Sequence, residues 1–460
     1  MTRKRDAQLT ASPPRSQTCG PKKRRAGYGL PFPNSTTPPR RIAVIGGGIS
    51  GLAAAHALAP NHAVTLIEAA PRLGGHARTV LAGRRGDQPV DTGFIVYNKV
   101  NYPNLVRLFD DLDVPIADSD MSFAASLEGG RIEYSLQSPD TVFAQRRNLL
   151  SPRFVRMVRD IFRFNACAAE AAIDPTLPLR DFLDRLGMGQ TFRDWYLGPI
   201  SGAIWSTPSR NVMDFPAQAM IQFFQNHNLL SHTGQHKWYT VQGGSIEYVR
   251  RLQAHLQRQH VTLRMGAPVQ GIRRIPGGAE VRTHGGEWEV FDDVILATHS
   301  DDSLALLSDA TPGEIAMLSR IRYHDNDAVL HADASVMPKR RKVWASWNYA
   351  EQATRPDRIG LTYWMNRLQP IPQDDPMFST LNSQQEIREE LIYDRTTFRH
   401  PIYDLAMMKA VEGIRARNGT DHTWFCGAWM KNGFHEDGFA SALDVVEAMG
   451  RRQRPAIAAA

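Results

Sequence analysis

Three glycines and one acid carry the first chemical signal in this 460-residue chain: Gly46-x-Gly48-x-x-Gly51, followed by Glu68. Glycines at this spacing allow a tight turn and let bare backbone approach a pyrophosphate. An acid about twenty residues further on can accept hydrogen bonds from a ribose diol, and its charge disfavours a 2′-phosphate. The chemistry is dinucleotide binding. The elements needed to position these residues are written around them. Ile42 to Ile45 reads as a short buried strand, the stretch after Gly48 as an alanine-rich helix, and Ala63 to Ile67 as a second strand ending at Glu68. Such a unit aims the first N–H groups of the helix, and the positive end of its dipole, at phosphate oxygens. With 35 glycines in the chain a bare G-x-G-x-x-G is weak evidence, so the flanking βαβ pattern is what gives it meaning.

The residues that follow extend the motif. Glu68-x-x-x-Arg72-x-Gly74-Gly75-x-x-x-Thr79 resembles the extended fingerprint of the flavoprotein superfamily that holds the amine oxidases, phytoene desaturases and protoporphyrinogen oxidases. The resemblance implies FAD, with Arg72, Gly74 and Gly75 along the pyrophosphate and ribityl chain. Ile49, Ser50, Ala69 and His76 are expected beside them. Three later segments are similar to the same superfamily. Asp91-Thr-Gly93-Phe94 continues toward the flavin. Val241-Gln-Gly243-Gly244 precedes a helix with Ile246, Val249, Leu252 and Leu256 at helical spacing. The strand Asp292-Asp-Val-Ile-Leu-Ala297-Thr298 follows. Val269 stands where the family contacts adenine through the backbone. At the end of the chain, the strand Thr423-Trp-Phe-Cys426-Gly427 and the run Gly433-Phe-His435-Glu-Asp437-Gly438-Phe439 resemble the closing motif. There Gly427 lies by the pyrophosphate and Asp437 accepts from ribityl or ribose hydroxyls. A helix starting near Gly438, with Phe439, points its N–H groups at the flavin N1/O2 edge. The chain looks closest to the bacterial amine-oxidase-like branch, whose members are associated with lipid-modifying enzymes.

Departures from the family matter as well. No S-G-G-C-Y-like segment exists for covalent attachment, and Cys426 lies in the strand before Gly427, so noncovalent FAD is expected. His435 has the ordinary pKa for acid–base work, but a structural loop histidine is the competing reading. Lys99, Lys431 and Tyr97 are weaker candidates still, and no catalytic residue is assigned.

Composition bounds the rest. Residues 1–41 hold ten Lys/Arg and one acid, so the net charge of +7 belongs to a basic, proline-rich tail expected to be disordered. The remainder is nearly neutral, which argues against a nucleic-acid partner. No apolar run reaches the 18 or so residues of a membrane helix, although peripheral membrane contact stays open. Three widely spaced cysteines point to a reducing compartment, hence a cytoplasmic location, and no Cys/His spacing resembles a metal site.

The expected fold class is α/β: a Rossmann-like FAD-binding domain of the GR2 type with an inserted α+β substrate domain. Residues 1–40 form the tail. Residues 41–97, 236–309 and 421–450 form the FAD-binding domain, and 98–235 with 310–420 the substrate domain. Aromatic and small residues alternate like strands in Trp344–Tyr349 and Leu361–Asn366. The expected activity is hydride transfer from a substrate C–H to flavin N5, on a hydrophobic lipid or polyene. The alternatives are an amine oxidase on a small amine, a non-redox flavin-dependent isomerase, and a flavin-binding partner in a lipid-modifying pathway. A polyamine would call for pocket acids and a carboxylate for a pocket arginine such as Arg210, Arg355 or Arg367. The electron acceptor is open, with O2 one choice.

Overall fold

Strand β1 (Arg41–Ile45) is apolar after its first residue, and Ile42, Ala43 and Val44 are fully buried. Continuous apolar character suits a strand covered on both faces. Helix α1 (Ile49–Leu58) follows and is buried along its whole length, with Gly48 as its extended N-cap. Strand β2 (Ala63–Ile67) then pairs parallel to β1, with Ile42 opposite Val64 and Ile45 opposite Ile67. The sheet grows outward on both sides. Strand Thr262–Arg264 joins β2, strand Asp293–Leu296 joins β1, and strand Thr423–Phe425 joins Asp293–Leu296, all parallel. This is the expected α/β arrangement of a parallel sheet. The last helix, His435–Gln453, packs directly on α1.

The computed structural model describes residues 38–231, 233–351, 358–383 and 385–453; the tail expected over residues 1–40 and Arg355 therefore lie almost wholly outside the described residues, as does the side chain of Arg210. A mixed seven-stranded sheet runs Ile392–Pro401, Tyr323–His331, Phe378–Leu381, Gly360–Trp364, Trp347–Ala350, Phe123–Leu127, Ile132–Ser135. The parallel pairing of Trp347–Ala350 with Phe123–Leu127 brings two segments of the chain, separated by more than two hundred residues, into one sheet. Helices Pro152–Ala171, Leu179–Arg185, Gly198–Trp205 and Ala217–Asn226 cover it with a core that includes Phe154, Phe164, Phe192 and Phe224. Burying each such ring contributes about 1.5–3 kcal/mol. The helix expected after Gly244 is Ile246–Arg258, with Val249, Leu252 and Leu256 buried as its spacing requires.

Two local expectations are corrected. Trp344 to Ser346 precedes the strand, which starts at Trp347, and Met365 and Asn366 belong to a short helix rather than to the strand Gly360–Trp364. Asn366 is drawn out of the strand because its side chain bonds the backbone of Pro372, Asp375 and Met377.

Candidate active site

The glycine turn is built as three close approaches and one opening. Gly46 has φ +105°, and a Cβ there would lie 2.9 Å from the Ala297 carbonyl oxygen. At Gly51 a Cβ would fall 1.8 Å from the Gly46 oxygen, so only glycine lets α1 pack this close to β1. Gly75, at φ +54°, sits against the Gly48 backbone, where a Cβ would come within 3.0 Å. Of these four glycines, Gly48 has nothing within 4 Å of its would-be Cβ. Its bare face opens on a cavity of about 1720 Å³.

Gly46, Gly48, Ile49, Ser50, Glu68 and Ala69 line this cavity at one end. Gly74, Gly75, His76, Val269, Gly427 and His435 line it too. Residues 46 to 76 are thus brought together with one from the middle of the chain and two from its end. Glu68 is held in place by two amides: Gly47 N donates to Oε2 at 2.5 Å and Ala70 N to Oε1 at 2.7 Å. Each carboxylate oxygen keeps a second lone pair for a hydroxyl donor.

Five expected contacts lie elsewhere. Arg72 is off the cavity wall. Its guanidinium donates to the carbonyls of Leu73, Gly75 and Ala77, so it braces the Gly74–Gly75 loop rather than facing the opening. Gly51 serves packing, as above. Gly438 does the same: its Cβ would meet Ile49 at 2.7 Å and Ser50 at 2.9 Å, so its absence lets the last helix cross α1. Phe439 is fully buried and away from the cavity wall. Asp437 lines a smaller pocket of about 280 Å³ and accepts from Phe434 N at 3.0 Å. That bond caps a helix beginning at His435, three residues before the expected start, and the Gly438 amide is spent within it, bonding the Phe434 carbonyl. Burial raises the Asp437 carboxyl to about 6.

The rest of the cavity wall joins motif residues to others that no motif announces. Phe94 lies flat on His435, ring centres 3.9 Å apart, and Tyr248 places its hydroxyl 2.6 Å from His435 Nε2. Burial, then the neighbouring His76, lowers His435 to about 3, so its ring is neutral. The His76 ring centre lies 5.9 Å from those of both His299 and His400, and burial lowers the three to about 4, 4 and 3. His299, Asp301 and Asp302 place ligand-type atoms within 4.8 Å, and Arg399 pairs with both carboxylates, offsetting one of their two charges. Further out, Phe143, Met157, Ile161, Tyr196, Trp205 and Tyr363 surround the space. Cys426 is fully buried, with its thiol pushed up to about 12.

The family model for flavin containing amine oxidoreductase matches residues 49–329, more than half of the chain. The chain belongs to that family. It is therefore an FAD-binding flavoprotein and a flavin oxidoreductase acting on a small-molecule substrate. No curated protein matches it in sequence. Solved structures share its fold at low identity. A CLA-producing fatty acid isomerase from P. acnes matches with TM-score 0.65 and 16% identity over 90% of this chain and 99% of that one. Putrescine oxidase bound to putrescine matches at 0.64 and 15%, over 90% and 99%. Reduced UDP-galactopyranose mutase matches at 0.65 and 14%, over 90% and 96%. The glycine cradle, the open face of Gly48 and the anchored Glu68 all fit the pyrophosphate and ribose of FAD. The cavity exceeds the roughly 300–1,000 Å³ of a single-ligand site, which leaves room for a substrate beyond the cofactor. Among the described residues no helix is long and apolar enough to cross a membrane.

Proposed function

We propose that this flavoprotein oxidises a hydrophobic substrate, a lipid acyl chain or polyene, at a C–H bond, with noncovalent FAD. The observation that carries this reading is the state of the carboxylates on the cavity wall. Among the described residues there are three: Glu68, Asp120 and Asp302. Glu68 is bound by two loop amides. Asp120 pairs with Arg367 at 2.9 Å and accepts from Ser122 and Ser346. Asp302 is paired with Arg399. A polyamine brings at least two ammonium groups into a site, and each needs a counter-charge with spare capacity. Here Glu68 is reserved for the cofactor ribose, Asp120 is ion-paired and Asp302 shares Arg399 with Asp301, which leaves one unmatched negative charge for two ammonium groups, while the outer cavity is lined largely by aromatic and aliphatic side chains. The fold hosts both a fatty acid isomerase and a putrescine oxidase by name, so the wall, not the fold, separates the two classes. Arg367 is likewise occupied, which argues against a substrate carboxylate held there.

When bound, FAD supplies a two-electron acceptor for a hydrogen carried from substrate carbon. The chain supplies position and dryness. Gly46, Gly48 and the α1 N-terminus would hold the pyrophosphate, Glu68 the ribose hydroxyls, and the Val269 backbone the adenine. His435 acts as a rigid spacer: its ring is neutral, stacked on Phe94, and its Nε2 faces the Tyr248 hydroxyl, so it orients the wall rather than accepting a proton near neutral pH. The apolar rings exclude water from the reacting carbon. The test is anaerobic addition of amines, fatty acyl lipids and carotenoids to the purified protein, followed by absorbance near 450 nm. Bleaching by a lipid or polyene supports the reading; bleaching by a diamine alone overturns it.

A further inference from the structure

The segment 146–163 bears a feature that the cofactor site does not use. Helix Pro152–Ala171 is three-sided. One side, with Phe154, Met157, Ile161 and Phe164, is buried in the core. A second faces solvent with apolar residues: Val155 is 45% and Phe162 56% exposed. The turn just before the helix adds Leu149 at 51% and Leu150 at 87%. The third side carries Arg156, Arg159 and Arg163, in line at helical spacing and exposed. Arg146, Arg147 and Arg153 flank them, also exposed. Six arginines in this segment share it with one acid, Asp160, which is itself buried, and of the six Arg146 is also paired with Asp140 just outside the segment. Arg156 and Arg159 reach it only at 3.9 and 3.8 Å, and their side chains remain 60% and 71% exposed.

Isolated exposed apolar residues are ordinary. Here they cluster on one helix and its leading turn, beside a row of cations, and at the cavity's own edge. Val158, Ile161, Phe162 and Asn165 line the large cavity from this same helix, and Phe162 is at once on its wall and in solvent. An apolar strip bordered by arginines has the composition of a surface that seats its side chains among acyl chains while its cations meet phosphates. A protein partner would be held by either feature; the two side by side, with the mouth of an apolar cavity between them and the core, match a bilayer in both chemistry and geometry.

We propose that Leu149, Leu150, Val155, Phe162 and the surrounding arginines dock the protein on an anionic lipid surface, with the cavity mouth turned toward the membrane. The surface stands on its own geometry, and it deepens the reading of an apolar substrate by giving that substrate a dry route in.

The test is flotation of the full-length flavin-loaded protein with vesicles of phosphatidylcholine alone and of phosphatidylcholine with phosphatidylglycerol. Binding is expected only to the anionic vesicles and is weakened by salt. Replacing Arg156 and Arg159 by serine should weaken it roughly 25-fold, at about fivefold per arginine, and Leu149→Ser with Leu150→Ser should weaken it further. Retained flavin absorbance in each variant shows that it is folded. Because the basic tail can also meet anionic lipid, a chain with Lys22, Lys23, Arg24 and Arg25 replaced by serine serves as the contrast. That variant should still bind. If binding follows the tail and ignores the helix, the proposal fails. It fails too if the wild type ignores anionic vesicles, or if light scattering shows a dimer that the leucine substitutions dissolve. Vesicle binding with no flavin bleaching by any acyl lipid or polyene would keep the surface and sink the substrate reading instead.

Discussion

The four-residue contrast in the glycine turn makes a sharp pair of substitutions, Gly51→Ala and Gly48→Ala. Both add one methyl group within three residues of each other. At Gly51 the methyl would lie 1.8 Å from the Gly46 oxygen, about half an ordinary van der Waals separation of roughly 3.5 Å. The obstacle is backbone, and α1 is held by β1 on one side and by the last helix on the other, so little can yield. Overpacking of this kind costs about 3 kcal/mol or more, whether or not FAD is present. At Gly48 the protein offers no obstacle within 4 Å, and the backbone at φ −74°, ψ −176° suits alanine. Apoprotein stability should stay within about 1 kcal/mol, since a weaker helix N-cap is offset by a stiffer unfolded chain. The new methyl instead projects into the space assigned to the pyrophosphate. A steric penalty of about 1–3 kcal/mol there weakens FAD roughly 5- to 150-fold. Urea unfolding of the apoproteins, followed by tryptophan fluorescence, measures the first effect, and titration with FAD measures the second. If Gly48→Ala binds FAD as the wild type does, the pyrophosphate does not pass over Gly48. If Gly51→Ala unfolds at the wild-type midpoint, the close approach of α1 to β1 is wrong.

Three further outcomes are expected. Acid precipitation should release all the flavin into the supernatant; colour retained in the pellet would contradict noncovalent binding. Replacing Asp437 by alanine should cost about 1 kcal/mol of stability yet leave FAD affinity unchanged, because its carboxylate caps a helix; a large loss of FAD binding would restore it as a cofactor ligand. Folding stability should rise steeply between about pH 4 and 6.5. His56, His76, His227, His299 and His331 are lowered to about 4 by burial, and His400 and His435 to about 3. In that window the unfolded chain binds protons that the native state refuses, so stability increases with pH. Asp91 and Asp437, raised to about 6, act in the opposite sense from about pH 4 to 6 but are outnumbered. Urea midpoints across this range check it; a maximum near pH 5 would refute it.

What the sequence displays best is what lies close together along it. β1, the turn, α1, β2 and Glu68 are contiguous, and their spacing alone states the geometry. The parallel sheet is legible for a similar reason, since two of its added strands, Asp293–Leu296 and Thr423–Phe425, are short runs leading into small residues, Ala297 and Gly427. Position within a motif was less informative about direction. Arg72 keeps its expected place but bonds the loop carbonyls around it, and Asp437 caps the helix that was expected to begin after it. The histidines around His76 left no local trace. His400 reaches the cavity because its strand pairs with Tyr323–His331, residue by residue, opposite His324, and His299 because Ser300 begins a helix just past the end of a sheet strand. Such encounters are set by long-range register, which periodicity in a short window does not contain. Trp344 and Asn366 looked like strand residues by alternation, and side-chain bonds to neighbouring backbone decided otherwise.

The cavity wall has a temporal meaning as well as a spatial one. Its first contributors, Ile45 to His76, leave the ribosome early, yet they close the site only with Gly427 and His435, almost at the other end of the chain. Strand Thr423–Phe425 also supplies the edge of the parallel sheet, and the final helix covers α1. A growing chain can therefore assemble the glycine turn long before it can enclose FAD. Cofactor loading becomes a late event that reports on complete synthesis, and a chain cut short before the final strand should emerge colourless however well its first half has folded.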